Sequence, residues 1–160
     1  MMVWEWFDTW SRYYLPDEFP VNGKTVLNVG AGEGETAAFF FSKGAKKFIC
    51  VEPDASRAGK LLQNTERNGW NCTIIQGAFS NSHLTAEPFD FMEMDCEGCE
   101  ASLLDPGLSP PLGSFPCTIE VHAPEVLASF LRNDHFYLAK TYGSIWIVKA
   151  RAASSGSRTA

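Results

Sequence analysis

Four groups of residues have the types and spacing to do chemistry. The first is Gly30-Ala31-Gly32-Glu33-Gly34, directly after an apolar run at 26–29. Residues without a Cβ let the backbone bend sharply and come close to a ligand, while the N–H groups of a following helix point at it. The same turn also occurs with no ligand at all. The second is Glu52, which ends another apolar run 22 residues after Gly30. An acid at that place can accept hydrogen bonds from both hydroxyls of a ribose, each worth about 1.5–3 kcal/mol. The third is Asp95-Cys96-Glu97-Gly98-Cys99-Glu100, and the fourth is Glu120-Val121-His122. Asp95 and His122 are the candidates to take a proton from a hydroxyl nucleophile, because an imidazole titrates at about 6.5 and a placed base adds a factor of about 10²–10⁴. Glu120 shares a strand face with His122 and can orient its ring. The alternative is that His122 caps a helix beginning near Pro124. Glu97 and Glu100 can contact a substrate or a metal ion, but acids in the first turn of a helix are also favoured by its dipole.

The elements that must position these groups alternate along the chain. Apolar strand-like runs at 26–29, 48–51, 72–75 and 89–94 are separated by helical patterns and a polar loop holding Asn81, Ser82, His83 and Thr85. Ala37, Phe40 and Phe41 mark the inner side of a first helix, and Ala58, Leu61, Leu62 and Thr65 that of a second, closed by Gly69. Such alternation implies a parallel sheet, with ligands beyond the carboxyl ends of its strands. Four prolines between Asp105 and Pro116 require a loop there. A fifth strand is read at 117–121, then a helix with Val126, Leu127, Phe130 and Leu131 facing inward. Two final strands, 136–142 and 145–148, are joined only by Gly143-Ser144, which permits a hairpin and forbids a parallel crossover.

Composition narrows the function classes. The chain has 160 residues, 45% apolar and 20% charged, as expected of one domain. Thirteen basic against nineteen acidic residues give a net charge of −6, which disfavours nucleic acid and anionic membranes as partners. No run is long and apolar enough for a membrane span, and Glu5 and Asp8 stand where a signal peptide would be basic and apolar, so a cytoplasmic protein is expected. Five cysteines argue against a disulfide framework, and Cys96-x-x-Cys99 lacks the second pair of a structural zinc site, so it reads as packing, with redox chemistry a remote second reading. Trp4, Trp6, Phe7, Trp10, Tyr13 and Tyr14 fit one face of a helix in an N-terminal cap at 1–20. That face can cover the site, but the favoured reading is packing on the domain or on a second subunit. The tail at 151–160 has little to bury and is expected to be disordered.

The kind of nucleoside follows from what is missing. Counting from Gly30, the third glycine of a dinucleotide fingerprint falls on Glu35, so the spacing is G-x-G-x-G. A ligand without a pyrophosphate has less need of a phosphate cradle, and the closing hairpin adds an antiparallel strand that a plain dinucleotide domain does not require. Both point to S-adenosylmethionine. Taken together, 26–36, Val51-Glu52-Pro53, 91–100 and Ile119-Glu120-Val121-His122 resemble the FkbM-type branch of class I S-adenosylmethionine-dependent methyltransferases, with D-x-E-G-x-E at 95–100 the more specific marker. The resemblance runs in order from about Val26 to Val148.

It implies an α/β fold, a Rossmann-like three-layer α/β/α sandwich over 21–150, whose mostly parallel seven-stranded sheet carries an antiparallel strand in its C-terminal hairpin. It also implies cofactor contacts. Gly30, Ala31, Gly32 and Gly34 flank the methionine part, with Asn28 and Asp95 beside it; Glu52 with Pro53 holds the ribose; Ala78 and Phe79 border the adenine. Phe79 serves equally well as core. Asn28 departs from the acid more usual in that family and brings no charge to the cofactor's ammonium group, so weaker cofactor binding is expected. The expected activity is O-methylation of a small hydroxylated molecule or sugar, with Asp95, His122 and Glu97 as catalytic candidates and no metal assigned. The alternatives are a nucleoside-binding scaffold without catalysis and an NAD-dependent reductase, the latter disfavoured by Glu35. Transfer to a base nitrogen is disfavoured because Asp95-Cys96-Glu97-Gly98 replaces an Asn-Pro-Pro-Tyr type of segment.

Overall fold

The structure, a computed structural model, describes residues 20–108 and 113–150. The aromatic N-terminal cap and the C-terminal tail inferred from sequence lie outside the described residues. Strands β1 (Thr25–Val29), β2 (Lys47–Glu52), β3 (Cys72–Gln76), β4 (Phe91–Met94), β5 (Cys117–Val121), β6 (Phe136–Tyr142) and β7 (Ile145–Ala150) form one sheet in the order β3-β2-β1-β4-β5-β7-β6. The first five are parallel; β7 runs antiparallel to both β5 and β6. The expected mixed seven-stranded sheet with its closing hairpin is therefore present. Strand succession reverses between β1 and β4, and an open parallel sheet leaves a crevice at the carboxyl ends of such a pair.

Alternate residues of each strand face opposite sides, and each side has its own core. Leu27, Val29, Met92, Met94, Ile119 and Val121 pack with Leu103 of a 3-10 helix (Cys99–Leu104) and Phe130 of a later helix. On the other side Val26, Phe48, Cys50 and Phe91 meet Ala37, Phe39 and Phe40 of helix α1 (Glu35–Ser42) and Leu61 of α2 (Ala55–Asn68). Burial on both faces is what lets these strands read as continuous apolar runs. Helix α2 begins at Asp54, whose side chain accepts from the Arg57 amide, and ends at Gly69 in the left-handed region.

Several local expectations change. Leu62 and Leu131 are 49% and 42% exposed rather than inward, because the buried stripes of their helices run through Leu61 and Phe130. The polar loop after β3 contains a one-turn helix, α3 (His83–Ala86), and β4 starts at Phe91 instead of Phe89. Helix α4 (Pro124–Leu131) begins at the expected proline. Cys96 and Cys99 are bonded as a disulfide, where sequence indicated separate packing. Glu97 at φ 55 and Gly98 at φ 119 fold that loop so the two Cα atoms stand 5.5 Å apart, within bridging range.

Candidate active site

The glycine turn is held from below and open above. A Cβ on Gly30 would lie 1.8 Å from the Asp95 carbonyl oxygen, so the bare residue is what allows the end of β1 to lie against the end of β4. Gly34 is required chiefly by its backbone, at φ 103, since the nearest atom to its virtual Cβ is the movable end of the Leu61 side chain at 2.8 Å. Gly32 meets only the Glu35 carboxylate, at 3.2 Å. Beneath the turn Glu52 is 3% exposed; its Oε2 accepts from the Gly32 amide and its Oε1 from the Asp54 amide, each at 2.8 Å. The residue read from sequence as a ribose acceptor is thus also a brace that ties the turn to the start of α2. Each of its oxygens keeps one lone pair.

Between this turn and the end of β4 lies an open cleft of about 350 Å³, lined in part by Gly32, Glu33, Glu35, Arg57, Asp95 and Glu97. Small-molecule sites span roughly 300–1,000 Å³. The lining carries four carboxylates against one guanidinium, and Lys60 pairs with Glu33 at its edge, 2.5 Å away. Gly30 and Ala31 also line it. Pro53 and Ala78 are exposed beside Glu52 and after β3, respectively, and Gly77 donates to the Glu52 carbonyl. Phe79 packs partly on the core and against the His83 ring, which favours its structural reading.

Asn28 lies off the cleft lining. It is fully buried on the face that carries α1 and donates its amide to the Glu93 carboxylate. The alternation that sends Leu27 and Val29 to one core sends Asn28 to the other side, where register sets it beside Glu93. Burial, with Asp95 and Glu120 nearby, pushes the Glu93 carboxyl well above the usual range. The row continues across the sheet through Thr118 and Lys149, both buried.

At the ends of β4 and β5 the imidazole of His122 stands among carboxylates. Its Nε2 lies 3.5 Å from Glu120, 3.7 Å from Glu97 and 3.8 Å from Asp95, and its Nδ1 3.4 Å from Glu100. None of these has hydrogen-bond geometry, so both ring nitrogens and Asp95 Oδ1 are buried without a hydrogen-bond partner among the described residues and meet only as ion pairs. Burial raises the carboxyls of Asp95 and Glu120, the latter to about 7, with His122 opposing the shift. Glu100 plays a different part: fully buried, it accepts from the amides of Gly98 and His122, at 2.8 and 2.9 Å, and so pins the loop after β4 to the end of β5. The capping role for His122 is not adopted, since no side chain caps α4. Sequence reasoning passed over Glu93, Glu33, Glu35 and Arg57. Glu93 was detectable as a charge inside an otherwise apolar strand.

No family model matches the sequence. Two curated viral proteins are similar: uncharacterized protein 65 of a Sulfolobus islandicus filamentous virus, 31% identical over 107 residues, and uncharacterized protein 158B of Sulfolobus islandicus rod-shaped virus 1, 27% identical over 96. The matches cover 60% and 59% of this chain, and it spans about 60% of the length of each relative. Among solved structures, a precorrin-6y C5,15-methyltransferase from Geobacter metallireducens superposes with a TM-score of 0.65 at 15% identity, covering 91% of this chain and 86% of its own. Aeropyrum pernix fibrillarin, in complex with natively bound S-adenosyl-L-methionine, gives 0.63 at 16%, covering 85% and 70%. A putative O-methyltransferase from Klebsiella pneumoniae gives 0.62 at 15%, covering 81% and 74%. The chain therefore has the fold of S-adenosylmethionine-dependent methyltransferases.

Proposed function

We propose that this protein is an S-adenosylmethionine-dependent methyltransferase of the FkbM type, acting on a hydroxyl of a small hydroxylated molecule or sugar. The observation that carries the reading is the cleft at the β1–β4 reversal, with its four carboxylates and single guanidinium. S-adenosylmethionine has a sulfonium, an ammonium and one carboxylate, and that balance suits an acidic cleft with Arg57 as the anion partner. A dinucleotide would set its pyrophosphate against the same carboxylates, at a cost that electrostatics makes unfavourable. The donor set accordingly fits the cofactor: Gly32 gives close backbone approach, the remaining Glu52 lone pairs suit ribose hydroxyls, and Asp95 and Glu97 face the positive groups.

When bound, the cofactor supplies an electrophilic methyl group whose departure leaves a neutral thioether. The chain's own contribution is alignment and proton handling. Rigid strand ends hold Asp95 on the cleft wall and His122 beside it, 3.8 Å away, and alignment of an acceptor against such a wall supplies roughly 7–11 kcal/mol. The orphaned ring nitrogens of His122 are the groups best placed to take a hydroxyl proton, with Asp95 and Glu120 stabilising the resulting charge. Glu97 reaches the same space from the loop that carries Asp95.

Calorimetry with S-adenosylmethionine and with NADH, followed by methyl transfer from labelled cofactor to a panel of hydroxylated acceptors, tests this. Binding of the first alone, weakened by Glu52→Gln and Arg57→Ala, is expected together with turnover. Binding of NADH alone would overturn the reading, and cofactor binding without turnover on any acceptor would favour the non-catalytic scaffold.

A further inference from the structure

Three groups from two strand ends leave a gap of defined size. One ligand atom each from Asp95, Glu97 and His122 lie within 4.8 Å of one another, and His122 Nε2 is 3.8 and 3.7 Å from the two carboxylate oxygens. These distances are too long for hydrogen bonds. They are close to what two ligands of one ion require, since metal–nitrogen and metal–oxygen bonds of about 2.0–2.2 Å place adjacent ligand atoms about 3–4 Å apart. The imidazole nitrogens and Asp95 Oδ1 are shielded from solvent and make no hydrogen bond among the described residues, only the long ion-pair contacts of this cluster, so their lone pairs point into a gap that an ion can fill. Charge argues the same way. Asp95, Glu97, Glu100 and Glu120 surround this imidazole, four carboxylates within 3.4–3.8 Å of one ring.

We infer that Asp95, Glu97 and His122 bind a divalent first-row metal ion of the Zn²⁺ or Mn²⁺ type at the wall of the cleft. An imidazole in the set favours such ions over Mg²⁺ or Ca²⁺, which prefer all-oxygen sites. Three protein ligands leave a position open, and Asp95 and Glu97 both line the cleft, so that position faces the space where an acceptor enters. What the ion does there rests on the methyl-transfer reading: an acceptor oxygen becomes a further ligand and loses its proton to solvent more readily. Where the ion is bound, His122 serves as its ligand, and its role as proton acceptor belongs to the ion-free chain. Glu100, held by two amides, is not one of the three ligands and fixes their geometry from the Nδ1 side of the ring.

The test is titration calorimetry of Zn²⁺, Mn²⁺ and Mg²⁺ into the tag-free, chelator-treated full chain. One Zn²⁺ or Mn²⁺ per chain is expected, with Mg²⁺ at least about tenfold weaker. Glu97→Gln changes a side chain that is 84% exposed, so the fold is kept while affinity falls on the order of 10–100-fold; Asp95→Asn lowers it as far or further. Absence of ion binding, or binding unchanged by both substitutions, overturns the site. Full methyl transfer in excess chelator also overturns it while leaving the methyltransferase assignment intact. An ion bound by the wild type and lost in both variants, without any binding of S-adenosylmethionine, upholds the site and removes the assignment.

Discussion

Two buried carboxylates at the carboxyl edge of the sheet, Glu52 and Glu100, differ from the group of Asp95, Glu120 and His122 that stands close by. Glu52 and Glu100 each accept two backbone amides, and their loops are fixed by those bonds. Asp95 and His122 keep buried polar atoms without hydrogen-bond partners. A satisfied buried acid organises structure, whereas an unsatisfied one holds interaction capacity that only a substrate, proton or ion can use. The cleft is built from both kinds: a rigid floor and an unfilled wall.

If that contrast is correct, substitutions on the wall and in the floor must separate activity from stability. The largest effect is expected from His122→Ala, which should lower methyl transfer by about 10²–10⁴-fold, in keeping with loss of a proton acceptor or of an ion ligand. Thermal unfolding should barely change, and a comparable loss of stability would erase the distinction. Glu100→Ala should do the reverse, lowering unfolding free energy by about 2–4 kcal/mol in denaturant titration because two amides lose a charged acceptor.

Next in size is Glu93→Gln. The folded-state pKa of Glu93 is raised, so its contribution to stability is most favourable at acid pH and is lost as pH rises above the ordinary carboxyl value of 4.5. The variant should be more stable than wild type at pH 8 and no more stable at pH 4, since the neutral amide can still accept from Asn28. Equal melting temperatures of variant and wild type at both pH values would show that the Glu93 carboxyl is not raised by burial. The smallest effect belongs to Lys60→Ala at the cleft rim, where both partners of the Glu33 pair are substantially exposed. Stability should change by less than about 1 kcal/mol, read by the same titration.

Much of the fold was legible because it depends on local rules. Apolar runs ending in glycine or in Glu52 mark strand ends, Gly143-Ser144 allows only a hairpin, and Pro124 opens a helix. Asp95 and His122 were placed at the ends of β4 and β5 for the same reason, and the structure brings them together. Exposure of Leu62 and Leu131 was not readable, because an apolar pattern wider than the contact face leaves the choice of buried stripe to the neighbouring strands. Nor was the Cys96–Cys99 bond, which depends on two left-handed residues in the loop between them.

The sequence by itself determined the order of strands and helices, the glycine turn and the loops on which chemistry must lie, since periodicity and backbone preference act over a few residues. Tertiary structure alone decided which polar groups are satisfied. Asn28 meets Glu93 across 65 positions of chain, Glu52 reaches back to Gly32, and Arg57 shares a cleft with Asp95. Hydrogen bonding and desolvation depend on distance in space, and strand register sets that distance.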